Sequence, residues 1–213
     1  MREGKELIIK KRGRKRELSE SQCQELKILI SNNLPDSIGL PSLLWSPKAV
    51  KMLIEREYDK LFTYETVGRF LRDWGFIPSG SASIYWSDKA THCVSERICL
   101  SDYINKNNAL SYYMGAYQYN SHPNIPCTHT IFAFTKKGHV KFMNVKGGMS
   151  QYSYREEAFI LFLRTLRKQS RRRLAVFFRN GKIRKSAGHI LLPQLKIEGV
   201  RLFQVPTQKR TPL

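Results

Sequence analysis

Two arginines three residues apart, Arg69 and Arg72, lie on the polar side of a predicted helix and indicate binding chemistry. A guanidinium is a planar, permanently charged donor that binds phosphate oxygens or the edge of guanine. Tyr64, Glu65 and Gly68 are expected on the same outward side. These residues are candidate contacts to nucleic acid, and a solvated face of an ordinary three-helix bundle is the alternative interpretation.

Three predicted helices position this face. The first begins after the N-cap Ser19, and Gln22 completes a capping box. The second begins at Ser46-Pro47, where proline suits the first helical position. A connector from Tyr58 to Phe62 leads to Thr63, the cap of the third helix. Two helices with a short connector are the outline of a helix-turn-helix, whose second helix enters the major groove of DNA.

A dense basic run precedes these helices, and its candidate DNA-binding residues are Arg12, Arg14, Lys15 and Arg16. Glycine at position 13 gives this arm the flexibility to lie along the DNA backbone or in a minor groove. A disordered tail that only keeps the protein in solution is the alternative. The arm and the third helix together favour DNA binding.

The charge of the chain points to a polyanionic partner, because 37 Lys and Arg against 17 Asp and Glu give a net charge of +20. Residues 1–80 hold 15 basic and 11 acidic side chains, whereas residues 81–213 hold 22 and 6. A membrane surface is disfavoured because no segment combines this charge with a clean apolar face. An RNA-binding protein is kept as an alternative, although no paired-aromatic strand motif is evident.

The second part of the chain changes to a strand pattern. A hairpin is predicted around Lys136-Lys137-Gly138, followed by a helix, a strand, a short helix and a last strand. The predicted segments are 130–134, 140–145, 153–169, 174–178, 190–195 and 200–205. Residues 89–119 are predicted to be irregular. This order of elements favours a mixed sheet with helices on its faces.

Several blocks carry a resemblance to a known family. Thr66 to Gly75, with Leu44-Trp45-Ser46 before it, resembles the winged helix-turn-helix of bacterial insertion-sequence transposases of the mariner-related group. Ile84 to Asp88 resembles the strand that carries the first acid of their ribonuclease-H-like DDE domain. The resemblance extends over roughly residues 13–206. It implies a protein that binds the ends of its own element and cuts and rejoins DNA with two divalent metal ions.

The expected fold is α+β, with an N-terminal all-α, winged helix-turn-helix followed by an incomplete α/β ribonuclease-H-like domain containing a mixed sheet. The expected boundaries are a basic arm at 1–17, the DNA-binding domain at 18–78, a linker at 79–83 and the DDE domain at 84–213.

The resemblance implies Asp88 as a catalytic acid and as a ligand of Mg²⁺. Arg179 stands where the family has its second acid, and the chain ends at Leu213 without a counterpart of the third. Hard cations need several anionic oxygen ligands, so this acid set predicts a truncated, degenerate and catalytically inactive transposase. An active transposase with a rearranged metal site, using Glu96 or Asp102, is the alternative.

The resemblance also implies the partners of the chain. They are double-stranded DNA carrying the terminal inverted repeats of the element and a second subunit, in a homodimer or a mixed dimer with an intact transposase. The expected location is the bacterial cytoplasm, at the nucleoid, without a membrane.

Overall fold

The computed structural model describes residues 18–78, 100–119, 128–146, 152–178 and 197–204. The predicted arm, the linker, the strand that ends at Asp88, the helix near 190–195 and Arg179 lie outside these ranges. The described architecture is α+β, as predicted, with helices packed on a mixed five-stranded sheet.

The helices in the described ranges are α1 (Glu20–Asn32), α2 (Pro47–Tyr58), α3 (Tyr64–Asp73), α4 (Leu100–Asn107) and α5 (Tyr152–Lys168). The strands are β1 (Leu110–Tyr119), β2 (Thr128–Thr135), β3 (Val140–Lys146), β4 (Leu174–Phe178) and β5 (Val200–Gln204). No helix in these ranges has the length and apolar content that crossing a membrane needs.

The predicted helix starts are confirmed. The Ser19 side chain accepts a hydrogen bond from the Gln22 backbone at 3.2 Å, and the Gln22 side chain accepts one from the Ser19 backbone at 3.0 Å. The hydroxyl of Ser46 caps α2 by accepting from Ala49 N at 3.2 Å. Residues 18–78 contain helices without a β-hairpin, so the wing that the resemblance implies stays a prediction.

The sheet has the strand order β3-β2-β1-β4-β5. Strands β1, β2 and β3 pair antiparallel, whereas β4 runs parallel to both β1 and β5. The predicted hairpin between β2 and β3 is confirmed, and its turn uses Gly138 at φ 81°, a conformation that glycine adopts without strain. The predicted helix at 153–169 and the predicted strands at 174–178 and 200–205 are also confirmed, as α5, β4 and β5.

The prediction that residues 89–119 are irregular was wrong, because α4 and the central strand β1 lie there. Strand β1 is covered on both faces, so Tyr112 and Tyr113 are both buried and the polar-apolar alternation of a half-exposed strand is missing. Helix α4 has only eight residues and is rich in Asn, Ser and Asp, which are weak helix formers.

The core lies on both faces of the sheet. On one face, Met114 and Ile131 pack with Phe162 of α5. On the other face, aromatic side chains of the strands pack against the helices of residues 18–78. The ring of Phe132 covers Gly115, where a Cβ atom would lie only 2.6 Å from the ring, so the close packing of β1 and β2 depends on this glycine.

Trp45 joins the helices to the sheet. Its backbone N–H donates to Phe142 O at 3.0 Å and its backbone carbonyl accepts from Phe142 N at 2.9 Å. The indole Nε1 donates to Asn33 O at 2.8 Å, and the side chain is fully buried.

Further contacts join the helices to β3. Phe76 stacks on Phe142 at 5.8 Å between ring centroids, and Asn144 Nδ2 donates to Ile30 O at 2.9 Å. The helices and the sheet therefore share one hydrophobic core, while the predicted domain boundaries stay a prediction.

We expect Trp45→Ala to lower the free energy of unfolding by about 3–5 kcal/mol, because it removes a large buried side chain and leaves the Asn33 carbonyl unpaired. Urea unfolding followed by circular dichroism measures this change. Since the helices and the sheet share a core, the helical and strand signals of the parent protein should change in one transition. Ile28→Ala is the control, since Ile28 is 46% exposed and the substitution should change stability by less than about 0.5 kcal/mol. Separate helical and strand transitions in the parent, or equal effects of the two variants, would contradict the shared core.

Lys141 of β3 is a partly buried cation beside this junction. The pKa of Lys141 is lowered mainly because the side chain is partly buried. Repulsion from Lys48 of α2 is a second, smaller cause. At neutral pH the ammonium form is therefore less stable in the folded protein than in the unfolded chain. This destabilisation is complete below the lowered pKa and disappears as the pH rises toward the unfolded value of about 10.4.

We expect Lys141→Met to raise the free energy of unfolding at pH 7, because methionine keeps the length of the side chain without its charge. The gain over the parent should shrink as the pH rises through the lowered pKa of Lys141. Urea unfolding of both proteins at pH 7 and pH 10.5 measures it, and Lys136→Met in the exposed hairpin is the control. A gain that does not change with pH would show that charge burial is not its cause.

Candidate nucleic-acid interface

Helix α3 is short and has a well-defined start. The hydroxyl of Thr63 accepts a hydrogen bond from Thr66 N at 3.2 Å, which caps the helix as predicted. The connection from α2 turns at Asp59, which has φ 51°. Five residues, 59–63, therefore separate the two helices.

The inner side of α3 fixes its rotation about its own axis. Val67 and Leu71 are fully buried. Phe70 contacts Phe62 edge to face at 5.3 Å between ring centroids and stacks on Trp74 at 5.5 Å. Because these contacts occupy one side of the helix, the opposite side is held toward solvent.

The outer side of α3 carries Tyr64, Glu65, Arg69 and Arg72, all exposed. Tyr64 is 57% exposed. Within the part of the chain that the structure describes, no hydrogen bond or ion pair occupies the guanidinium of Arg69 or Arg72. Both cations are therefore accessible to a ligand, and their contact with DNA stays a prediction.

Gly68 is buried beneath the side chain of Arg72, and its own contact with nucleic acid stays a prediction. A Cβ atom at this position would lie 3.7 Å from Nη1 of Arg72, so that guanidinium folds back along α3 over Gly68. Glycine at position 68 therefore leaves the space beside the helix backbone to the Arg72 side chain.

Two residues that the sequence analysis did not select extend the outer side of α3. The Nζ atom of Lys51 on α2 lies over the ring of Tyr64, 5.7 Å from its centroid. Leu61, in the connection between the helices, is 70% exposed. The position of Lys51 beside the buried Val50 gives a sequence signal for the exposed side of α2, but its proximity to Tyr64 depends on tertiary structure.

The helical part has little net charge. Residues 18–78 carry seven Lys and Arg against eight Asp and Glu. The described residues from 100 to 204 carry thirteen basic and four acidic side chains. The positive charge of the described structure therefore lies on the sheet and α5, whereas α3 supplies a local pair of cations.

The predicted Mg²⁺ ligand Asp88 and the basic residues Arg12, Arg14, Lys15 and Arg16 lie outside the described residues, as does Arg179. The central strand β1 has no acidic residue among its ten positions. Asp102 is exposed in the first turn of α4. Among the described residues, no three His, Cys, Asp or Glu side chains group closely enough to hold a metal ion.

No protein-family model matches the chain, and no curated protein matches it. Solved structures similar to it include the crystal structure of the Mos1 strand transfer complex, at 15% sequence identity and a TM-score of 0.30. A crystal structure of a pre-cleavage Mos1 transpososome is similar at 13% identity and a TM-score of 0.27. Each likeness covers 87% of this chain, which spans 57% and 58% of those chains. Both TM-scores are too low to establish a shared fold.

Proposed function

We propose that this chain is a transposase-derived protein that binds double-stranded DNA through α3 and the basic arm. The observation that carries the proposal is the pair of exposed guanidinium groups of Arg69 and Arg72, which have no partner among the described residues, on a helix whose opposite side packs into the core. A helix fixed in this way presents its outer side as a rigid surface, which is what docking in a major groove requires.

The proposed contacts divide by role. Arg69 and Arg72 bind base edges or phosphates, and Tyr64 and Glu65 lie at the end of α3 that enters the groove first. The arm residues Arg12 to Arg16 add phosphate contacts. Because residues 18–78 have almost no net charge, most of the electrostatic attraction to DNA comes from outside this part.

We propose that the chain does not cleave DNA. The support is the acid set: Asp88 matches the first catalytic position of the resembled family, whereas Arg179 replaces the second. An arginine close to a carboxylate neutralises it and competes with a metal ion for its oxygens. The protein then occupies the terminal inverted repeats of its element, as a homodimer or in a mixed dimer with an intact transposase, at the bacterial nucleoid.

We expect Arg69→Ala and Arg72→Ala each to weaken binding to duplex DNA, because each removes one charge-assisted contact. If the arginine reads a base, the loss should be about 1–3 kcal/mol and should depend on the DNA sequence. Fluorescence anisotropy with a panel of labelled duplexes measures the affinities. Arg164→Ala on α5 is the matched control, since it removes one exposed positive charge on the other face of the sheet and should leave the sequence preference unchanged.

Two outcomes would contradict the proposal that α3 contacts the bases of duplex DNA. If both arginine variants bind like the parent while deletion of residues 10–16 abolishes binding, the arm alone supplies the affinity. If the parent prefers duplex RNA to duplex DNA at every salt concentration, the RNA-binding alternative is correct. Circular dichroism of each variant checks that the fold is retained.

We expect no DNA cleavage, since Arg179 stands where the resembled family has the second acid of its two-metal site. Incubating the protein with supercoiled plasmid and Mg²⁺ or Mn²⁺, followed by gel electrophoresis, measures nicking. A nicking activity that co-purifies with the parent protein and is abolished by Asp88→Ala would support the active-transposase alternative. Asp102→Ala is the matched control, because this exposed acid is not at the resembled position.

A further inference from the structure

The topology of the sheet brings four connections to the same end. The amino ends of the parallel strands β1, β4 and β5 are in register, with Leu110 beside Leu174 and Leu174 beside Val200. The β2–β3 hairpin turns at this end too, because Thr135 at the end of β2 pairs with Tyr112 near the start of β1. The last turns of α4 and α5 lead directly into this end.

These connections and helix ends carry seven exposed basic side chains, which we call the cationic edge: Lys106, Lys136, Lys137, Lys168, Arg171, Arg172 and Arg173. They are seven of the thirteen Lys and Arg in the described residues from 100 to 204. In the connections, Glu198 before β5 is the one acidic residue that the structure describes. A single carboxylate leaves a strong net positive charge at this end of the sheet.

The cationic edge is not neutralised within the described part of the chain, where no ion pair engages any of its seven side chains. Arg172 donates to Asn108 O at 2.8 Å and to the Asn108 side-chain oxygen at 2.5 Å. Arg173 donates to the Asn107 side-chain oxygen at 2.8 Å. These partners are uncharged, so the two guanidinium groups are held in place while their charge stays available.

Helix termini explain only a small part of this charge. Lys106 and Lys168 lie in the last turns of α4 and α5, where the helix dipole favours a cation. Each helix terminus contributes about half a negative charge, so two termini offset roughly one of the seven positive charges. Lys136, Lys137 and Arg171 lie outside the helices. A polyanionic ligand accounts for the remainder.

We propose that the cationic edge binds the sugar–phosphate backbone of duplex DNA without reading its sequence. Neighbouring strands lie about 4.8 Å apart, so the row from the β2–β3 hairpin to β4 spans roughly 15 Å. Each strand of duplex DNA carries one phosphate charge per about 3.4 Å of the helix axis, so a row of this length matches roughly four phosphates of one strand. The inference rests on the proposed function for the identity of the polyanion, but its residues are separate from α3 and from the arm.

The test is the salt dependence of binding to a labelled duplex of arbitrary sequence. The variant Lys168→Ala/Arg171→Ala removes two exposed side chains that make no hydrogen bond or ion pair among the described residues. Each lost phosphate contact should reduce the slope of log Kobs against log salt by about 0.9, so this variant should lose about 1.8. Lys27→Glu on α1 changes the net charge by the same amount and should keep the parent slope.

The outcomes separate the two proposals. A reduced slope in the edge variant, together with a parent slope in Lys27→Glu, supports the cationic edge. A parent slope in the edge variant, with binding lost in Arg69→Ala/Arg72→Ala, overturns the cationic edge and leaves the proposed function standing. A parent protein that does not bind duplex DNA overturns both. An edge variant that weakens binding to duplex RNA but not to duplex DNA overturns the assignment of the ligand.

Discussion

The reciprocal backbone hydrogen bonds between Trp45 and Phe142 are the constraint on which the placement of the helices depends. Helix α2 is capped by the very next residue, Ser46, and α3 follows after a connection of five residues. The direction of α2, and through it the side of α3 that faces solvent, is therefore set at the edge of β3. The indole of Trp45 adds a bond to the end of α1, so this one residue connects α1 and β3 at the start of α2. A local cluster of small interactions thus gives the exposed arginines a fixed position relative to the sheet.

The rigid exposed surface of α3 and most of the positive charge of the described residues lie in different parts of this molecule. The helical part offers a rigid outer side with almost no net charge, whereas the sheet and α5 hold most of the positive charge among the described residues. Electrostatic attraction acts over about a Debye length and does not depend on exact docking, while contacts to base edges depend on distances of about 3 Å. In the proposed DNA complex, this arrangement separates the strength of binding from its selectivity. Substitutions in one part can then change one property with little effect on the other.

Features with a local cause could be predicted from the sequence. The caps at Ser19, Ser46 and Thr63 depend on side chains within three residues, and the β2–β3 hairpin depends on a turn with glycine. The outer side of α3 followed from periodicity, whereas the cover of Gly68 by the Arg72 side chain did not. Strand β1 was missed because burial on both faces removes the alternation on which strand prediction relies. Three features join residues that are far apart in the chain, so no local sequence pattern predicts them. They are the Trp45–Phe142 junction, the approach of Lys51 to Tyr64 and the cationic edge.

The two-residue bridge at Trp45 also affects how the sheet meets other molecules. Among the described strands, β3 lies at one edge of the sheet, and its apolar residues would favour pairing with another strand if its N–H and C=O groups were free. The Trp45 backbone occupies the middle of that edge, and Asn144 reaches from it to the carbonyl of Ile30. The helical part therefore blocks the pairing of β3 with a strand of a neighbouring chain. Opening at this point would expose the backbone groups of β3 to pairing with a strand of another chain.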